Sequence, residues 1–209
     1  NGEMLAKYQK IGTGLTANMP SNNPAGNRGD GIVMAEKIGA QLRDMGFMQS
    51  YLKGYQNLAA SGEAGNVFKS AQLVVNANGV RFADDSNQSK IVSRFGNDQP
   101  DGILIAVGDA KMIDALNGIT EGLAEDLINR GMAFKADTLE EAAQLAGLDT
   151  AVLKGTVDTF NGYVDAGADA DFGRAKFNGK VENGPYYIAK LQLAAHLTFG
   201  GLVIDAQSQ

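Results

Sequence analysis

The segment around which the rest of the chain is organised is a glycine turn that leads into an apolar helical pattern: Asn27-Arg28-Gly29-Asp30-Gly31-Ile32-Val33-Met34-Ala35. Gly29 and Gly31 flank a single acid, Asp30, so backbone amides and one carboxylate can approach a ligand closely. The same residues also suit an ordinary helix start in which Asp30 is the N-cap. The segment therefore predicts a helix after Gly31 and, before it, either a ligand-binding turn or a simple cap.

Composition predicts a soluble globular protein with one large domain or two small ones. The chain has 209 residues, of which 44% are hydrophobic and 20% charged. Its formal net charge is −6 and its Lys and Arg residues are scattered, which argues against a nucleic-acid surface. No apolar run approaches the roughly 20 residues that span a bilayer. With no cysteine and one histidine, His196, the sequence predicts no metal site.

The ends of the chain suggest a piece of a longer polypeptide. It begins with Asn1 rather than an initiator Met, and it carries no signal peptide of its own. The lack of cysteine is consistent with a cytoplasmic location and also with an exported or cell-surface location in a bacterium. These features are compatible with a signal or an anchor upstream in the longer polypeptide.

Hydrophobic periodicity predicts an α+β fold. Strand patterns occupy residues 71–76, 103–107 and 186–191, and a shorter stretch at 47–51 reads as a strand or turn. Asn78-Gly79 is a strong hairpin signal, so residues 80–82 are expected to form the return strand. The segment 57–69 is rich in glycine and alanine without a clear period, which predicts a loop.

The second half of the chain carries helical patterns with recognisable caps. Residues 113–116 and 119–128 predict one or two amphipathic helices that end at Gly131. Thr138 and Glu141 form a capping-box pattern that opens the next helix. Asp149 or Thr150 is expected to cap the helix after that. Nothing in these helices requires a chemical role.

Four segments, in this order, resemble the flavoprotein subunit family of fumarate reductase and succinate dehydrogenase, in particular its soluble single-chain reductases. Each segment alone is a weak signal, whereas four in family order and at plausible spacing are specific, and together they cover most of the chain. The matching residues are Gly29 to Ala35 with Gly39-Ala40, Asp44-Met45 and Phe47-Met48-Gln49; Val75 to Phe82; Asn161, Gly167, Asp169 and Asp171-Phe172-Gly173-Arg174; and His196-Leu197-Thr198-Phe199-Gly200-Gly201.

The resemblance implies an internal fragment of an FAD-dependent oxidoreductase. Residues 1–49 would be a remnant of the FAD-binding domain, residues 50–194 the capping (catalytic) domain, and residues 195–209 the start of the return into the FAD-binding domain. The family's GxGxxG motif is absent from these 209 residues. The resemblance therefore implies that FAD is the cofactor of the parent protein, and that this piece alone does not retain it and is inactive.

In that family, a hydride moves from flavin N5 to the C=C bond of an unsaturated carboxylic acid, and the electrons come from a donor domain or protein. His196 matches the family's carboxylate-binding histidine, and Thr198 would add a hydroxyl donor. The cofactor contacts implied by the resemblance are Gly29, Asp30, Gly31, Gly200 and Gly201.

The sequence departs from the family at two positions that carry chemistry. Tyr51 stands where the family has a histidine, as in relatives that act on other enoates such as urocanate-like acids. Ser89 stands at the place of the family's proton-donating arginine, so Lys90 beside it, or Arg94 one turn further on, would have to substitute. These changes, together with the absence near Gly65 and Phe68 of the Glu and Arg of the family's proton relay, argue against fumarate itself as the substrate. The resemblance implies reduction of an α,β-unsaturated acid of the fumarate- or urocanate-like kind, with Tyr51, Lys90, His196 and Thr198 as the catalytic candidates.

Two other functions stay open on the sequence. The same scaffold could serve a flavin-dependent dehydrogenase or oxidase of the ketosteroid-dehydrogenase or aspartate-oxidase kind, which differs in the direction of hydride flow. The chain could also be a non-catalytic, capping-like binding domain. A GxGxxG motif about a hundred residues upstream in the parent reading frame would argue against the last alternative.

Overall fold

The fold mixes helices and strands, as the sequence predicts. The computed structural model describes residues 7–8, 20–99 and 102–207. The chain divides into two compact units, which we call the split unit (residues 1–51 and 193–209) and the continuous unit (residues 52–192).

The described helices and strands follow one another in a largely alternating order. The α-helices are α1 Asp30–Lys37, α2 Ser61–Ser70, α3 Gln88–Asp98, α4 Ala110–Ile119, α5 Leu123–Asn129, α6 Leu139–Ala146 and α7 Thr150–Ala166. The strands are β1 Leu42–Arg43, β2 Met48–Gly54, β3 Leu73–Asn76, β4 Ile103–Gly108, β5 Ala133–Ala136, β6 Tyr186–Thr198 and β7 Gly201–Leu202, and a 3-10 turn, Tyr55–Asn57, follows β2.

The larger sheet has the strand order β2-β6-β4-β3, and β5 also pairs with β6. The pairs β3–β4, β4–β6 and β5–β6 are antiparallel, with Val75 opposite Ile105 and Ala106 opposite Ala189. Because side chains alternate between the faces of a strand, β3 and β4 each supply apolar groups to both faces. Both strands are almost wholly buried, as their near-continuous apolar sequence predicts.

One core cluster lies between this sheet and the helices α6 and α7. Strand residues such as Leu73 and Val107 contact it from the sheet, and Leu153, Val157 and Phe160 contact it from α7. Those three α7 residues recur at helical spacing and are at most 2% exposed. This packing positions the loop after α7, which carries several buried charged side chains.

The predicted caps in this region are present. The hydroxyl of Thr138 accepts a hydrogen bond from the backbone N–H of Glu141 at 3.2 Å. Of the two candidates for the next helix, Asp149 is the cap, and its carboxylate accepts from the N–H of Val152 at 2.9 Å. The Asn78-Gly79 turn also forms, with Gly79 at a φ of 78°.

Two sequence-based predictions of local structure were wrong. Residues 61–70 form helix α2 rather than a loop, because Ala64, Val67 and Phe68 are buried and the helix packs against α4. Residues 80–82 do not form a strand, because the Arg81 side chain instead forms ion pairs with the buried carboxylates of Asp85 and Asp169. Tertiary contacts, which no local pattern reveals, decided both outcomes.

Candidate active site and cofactor site

The glycine turn precedes helix α1, but Asp30 is not the N-cap of this helix. Gly29 is the N-cap, with a φ of 81° in the left-handed region that favours glycine, and no side chain caps the helix. Asp30 is the first helical residue and its side chain is exposed. Apart from its chain neighbours and the backbone of its own helix, no described residue has an atom within 4 Å of the position that a Cβ on Gly31 would occupy. The exposed carboxylate and the free space at Gly31 leave this turn open to a ligand.

Strands β2 and β6 bring Tyr51 and His196 together within the split unit. Their ring centroids lie 5.5 Å apart, with the planes tilted by 42°. Tyr51 is half-buried and His196 is exposed. The Asn23 side chain donates a hydrogen bond to the His196 backbone oxygen at 2.7 Å, which ties the loop after residue 20 to this strand. A phenol and an imidazole side by side can both donate to one carboxylate.

The segment after His196 contains two glycines that differ in their surroundings. A Cβ on Gly200 would lie 2.5 Å from backbone atoms of Asp44 and Met45, so the chain's own packing accounts for glycine here. Around Gly201, no described residue other than its chain neighbours has an atom within 4 Å of the Cβ position. Thr198, the last residue of β6, is exposed. Gly201 and Thr198 therefore remain accessible to a ligand.

Lys90 lies in the continuous unit, near the start of helix α3, which Asn87 caps. Its ammonium group bonds the buried Asp84 carboxylate at 2.9 Å, while its own side chain is 54% exposed. Burial acts to raise the pKa of Asp84, but hydrogen bonds from Lys90 and Ser86 outweigh burial and leave the pKa below its usual range. The pair presents a tethered, solvent-accessible ammonium group.

Sequence reasoning missed a buried ionic cluster in the continuous unit. Arg81 bonds Asp85 at 2.8 Å and Asp169 at 2.7 Å, and Arg174 bonds the other oxygen of Asp85 at 2.8 Å. Both guanidinium groups also lie over the ring of Phe160, at 5.5 and 5.1 Å from its centroid. The motif segments contained Arg81, Asp169 and Arg174 but not Asp85. A separation of 88 positions between Arg81 and Asp169 hides their pairing in the sequence.

The residues of the split unit fit a flavin cofactor. Gly31 and Gly201 leave free space beside backbone. The Asn22 carboxamide is buried, and within the described ranges 7–8, 20–99 and 102–207 neither its nitrogen nor its oxygen has a hydrogen-bond partner. Open glycines allow close approach of a large planar ligand, and an unpaired buried amide calls for a polar partner.

Comparison with known proteins identifies the family. The model of the FAD binding domain matches residues 5–209. The chain therefore belongs to the FAD binding domain family, a family of flavoproteins.

Among related sequences, urocanate reductase of Eggerthella lenta is 34% identical over 212 residues, covering 100% of this chain and 34% of that protein. Among solved structures, the open conformation of a flavocytochrome c3 fumarate reductase aligns with a TM-score of 0.79 and 28% identity, covering 100% of this chain and 36% of that one. The 3-ketosteroid delta1-dehydrogenase of Sterolibacterium denitrificans aligns with a TM-score of 0.69 over 100% of this chain and 43% of that one, and at 23% identity it shows the fold alone. The chain thus spans about a third of the length of its enoate-reducing relatives.

Within residues 7–8, 20–99 and 102–207, no helix has the length and apolar character needed to cross a membrane. Over the same part of the chain, no group of three or more His, Cys, Asp or Glu side chains is arranged to hold a metal ion.

Proposed function

We propose that the full-length protein is an FAD-dependent reductase of the C=C bond of a small α,β-unsaturated carboxylic acid. The observation that carries this proposal is the Tyr51–His196 pair, 5.5 Å between ring centroids, in a chain of the FAD binding domain family. The proposal assigns the split unit to the FAD-binding domain and the continuous unit to the capping domain. An electron-donor domain or protein completes the system.

The residues have distinct roles in this proposal. Bound FAD supplies the hydride. Tyr51 and His196 donate hydrogen bonds to the substrate carboxylate, and the Thr198 hydroxyl adds a third donor, so negative charge that develops during reduction is stabilised. Lys90 delivers a proton to the carbon that does not receive the hydride. Gly29, Asp30, Gly31 and Gly201 contact the cofactor, while Gly200 serves the chain's own packing.

Tyr51 indicates which class of unsaturated acid the protein reduces. A phenol hydroxyl donates one hydrogen bond and carries no charge, whereas a second histidine could be protonated and bind a second carboxylate. Tyr51 therefore favours an enoate with one carboxylate over a dicarboxylate such as fumarate. The similarity to urocanate reductase supports the same preference.

The test uses the full-length protein loaded with FAD and reduced without oxygen. Reoxidation of the flavin is followed by absorbance after addition of urocanate, acrylate, fumarate or a 3-ketosteroid. We expect rapid reoxidation by a monocarboxylic enoate and slower reoxidation by fumarate. Tyr51→Phe should raise KM for the enoate more than it lowers kcat, because it removes a substrate contact. Failure of every enoate to reoxidise the flavin would reject the proposal.

The same FAD-loaded protein, with its flavin oxidised at the start, separates the two rival functions. A dehydrogenase of the ketosteroid kind would reduce the oxidised flavin when given the saturated steroid, and an oxidase of the aspartate-oxidase kind would do so with an amino acid. A binding domain without catalysis would show neither reaction. The direction in which the flavin absorbance changes therefore identifies the class.

A further inference from the structure

The Asn22 side chain, in the split unit, is a buried polar group without a hydrogen-bond partner among the residues that the structure describes. This is true of both of its polar atoms, Nδ2 and Oδ1. The residues on either side are paired: Ser21 Oγ bonds the Ala195 oxygen at 3.3 Å, and Asn23 Nδ2 bonds the His196 oxygen at 2.7 Å. Because buried polar groups in folded proteins nearly always have partners, this carboxamide needs an explanation.

The backbone holds Asn22 beside the strand that carries His196. The N–H of Asn22 donates to the Ala195 oxygen at 3.0 Å, and Ser21 and Ala195 form a parallel bridge. His196, the proposed substrate residue, follows Ala195 directly. The unpaired carboxamide therefore belongs to the loop beside the proposed substrate residue His196. The hydrogen bonds to Ala195 and His196 fix the backbone of this loop.

The pattern of unpaired atoms restricts the class of ligand. A carboxamide has both donors and an acceptor, and at Asn22 both kinds are unpaired, whichever of the two atoms is nitrogen. A substrate carboxylate offers only acceptors and would leave Oδ1 buried and unpaired. The pyrimidine edge of a flavin offers an N3–H donor between two carbonyl acceptors, which matches the carboxamide on both sides.

We propose that Asn22 binds the pyrimidine edge of the flavin, an inference that rests on the proposed function because it requires FAD in this unit. Oδ1 accepts from the flavin N3–H, and Nδ2 donates to a neighbouring flavin carbonyl. A donor at that carbonyl stabilises the electron-rich reduced ring more than the oxidised ring. Asn22 thus acts on flavin affinity and on reduction potential.

The test substitutes Asn22→Leu, which keeps a similar volume and removes both polar atoms, in the full-length protein. Three readouts are independent of turnover: the Kd for FAD from quenching of flavin fluorescence, the visible spectrum of bound flavin and its reduction potential. We expect Kd to weaken by about tenfold or more, since two hydrogen bonds are lost. The flavin absorption bands should shift and the reduction potential should fall.

Stability of the apoprotein separates a ligand contact from a structural role. Removing a buried group that has no partner should leave the melting temperature of the apoprotein unchanged or higher. Asn23→Ala is the matched control, because its carboxamide is paired within the chain. This control should lower the melting temperature of the apoprotein while leaving the spectrum of bound flavin unchanged.

The outcomes distinguish the two proposals. If the wild-type protein binds FAD and reduces an enoate, but Asn22→Leu has the same Kd, spectrum and potential, only the role of Asn22 is rejected. If Asn22→Leu lowers the melting temperature of the apoprotein as Asn23→Ala does, Asn22 is structural and the inference is wrong. If the wild-type protein takes up no FAD, both proposals fall together.

Discussion

In the proposed reaction, Lys90 delivers the proton, because Ser89 stands at the place where the resemblance implies a proton-donating arginine. The Lys90 side chain is 54% exposed, and the buried Asp84 carboxylate fixes the position of its ammonium group. Loss of a general acid typically lowers the rate by about 10²–10⁴-fold, so Lys90→Ala should reduce kcat for enoate reduction by that order while FAD stays bound. Stopped-flow measurement of flavin reoxidation gives this rate directly.

Lys154→Ala is the matched control for that experiment. Its side chain is also 54% exposed and paired with an aspartate, Asp158, but no role in the reaction is assigned to it. We expect wild-type kcat for this variant. Equal rates for Lys90→Ala and the wild type would show that Lys90 is not the proton donor. Arg94 would then be the next candidate for that role.

The two glycines after Thr198 allow a second prediction at single residues. Gly200→Ala would place a Cβ 2.5 Å from the backbone of Asp44, so it should lower the melting temperature with or without FAD. The Cβ of Gly201→Ala would meet no described residue beyond its chain neighbours within 4 Å, so this variant should leave the melting temperature of the apoprotein nearly unchanged and weaken FAD binding. Thermal denaturation and FAD titration of the full-length protein measure both. Normal FAD affinity in Gly201→Ala would exclude a flavin contact at this position.

Helix α7 allows a prediction about a whole element, because alanine should have opposite effects at a glycine inside the helix and at the glycine that follows its last residue. Gly162 lies within the helix with free space around its Cβ position, so Gly162→Ala should stabilise the continuous unit by about 0.5–1 kcal/mol. Gly167 ends the helix with a φ of 66°, where a Cβ is strained, so Gly167→Ala should destabilise it by about 1 kcal/mol. Urea denaturation gives both free energies of unfolding. Shifts of the same sign would contradict this account.

Elements with strong local signals could be predicted from the sequence, whereas those defined by distant contacts could not. The apolar run of β4 and the cap of α6 have local causes, and both were found where the pattern indicated. Helix α2 contains two glycines and one alanine but only two large apolar residues, Val67 and Phe68, so its composition suggested a loop. In the candidate site, the motifs indicated Tyr51 and His196, but only the strand geometry brings their rings to 5.5 Å.

At the scale of the whole molecule, stability should fall as the solution is acidified. Several carboxyl groups have lowered pKa values although burial acts in the opposite direction, because hydrogen bonds from side chains and backbone N–H groups stabilise the charged form. They include Glu63, Asp84, Asp109 and Asp169. A native pKa below that of the unfolded chain means that the unfolded state binds more protons at low pH. Their contributions are therefore fully present above the unfolded pKa values, near 4, and are lost as the pH falls through the native values.

Asp169 makes this prediction specific. Burial acts to raise the pKa of Asp169, but the hydrogen bonds from Arg81 and from the N–H groups of Arg174 and Phe172 lower it to about 2. The difference from an ordinary aspartate corresponds to about 2 kcal/mol at neutral pH, which should disappear between about pH 5 and pH 2. Asp169→Asn should lower the neutral unfolding free energy by about 3–5 kcal/mol, because Arg81 keeps only Asp85, and should flatten the acid dependence.

Unfolding free energies from urea denaturation between pH 7 and the lowest pH at which the protein folds measure both effects. Asp158→Asn provides the control, because its carboxylate is 62% exposed and pairs only with a solvent-exposed lysine. That variant should keep the wild-type slope against pH. A wild-type slope in Asp169→Asn would mean that the buried ionic cluster does not govern acid stability, since a group that no longer titrates cannot contribute to proton uptake on unfolding.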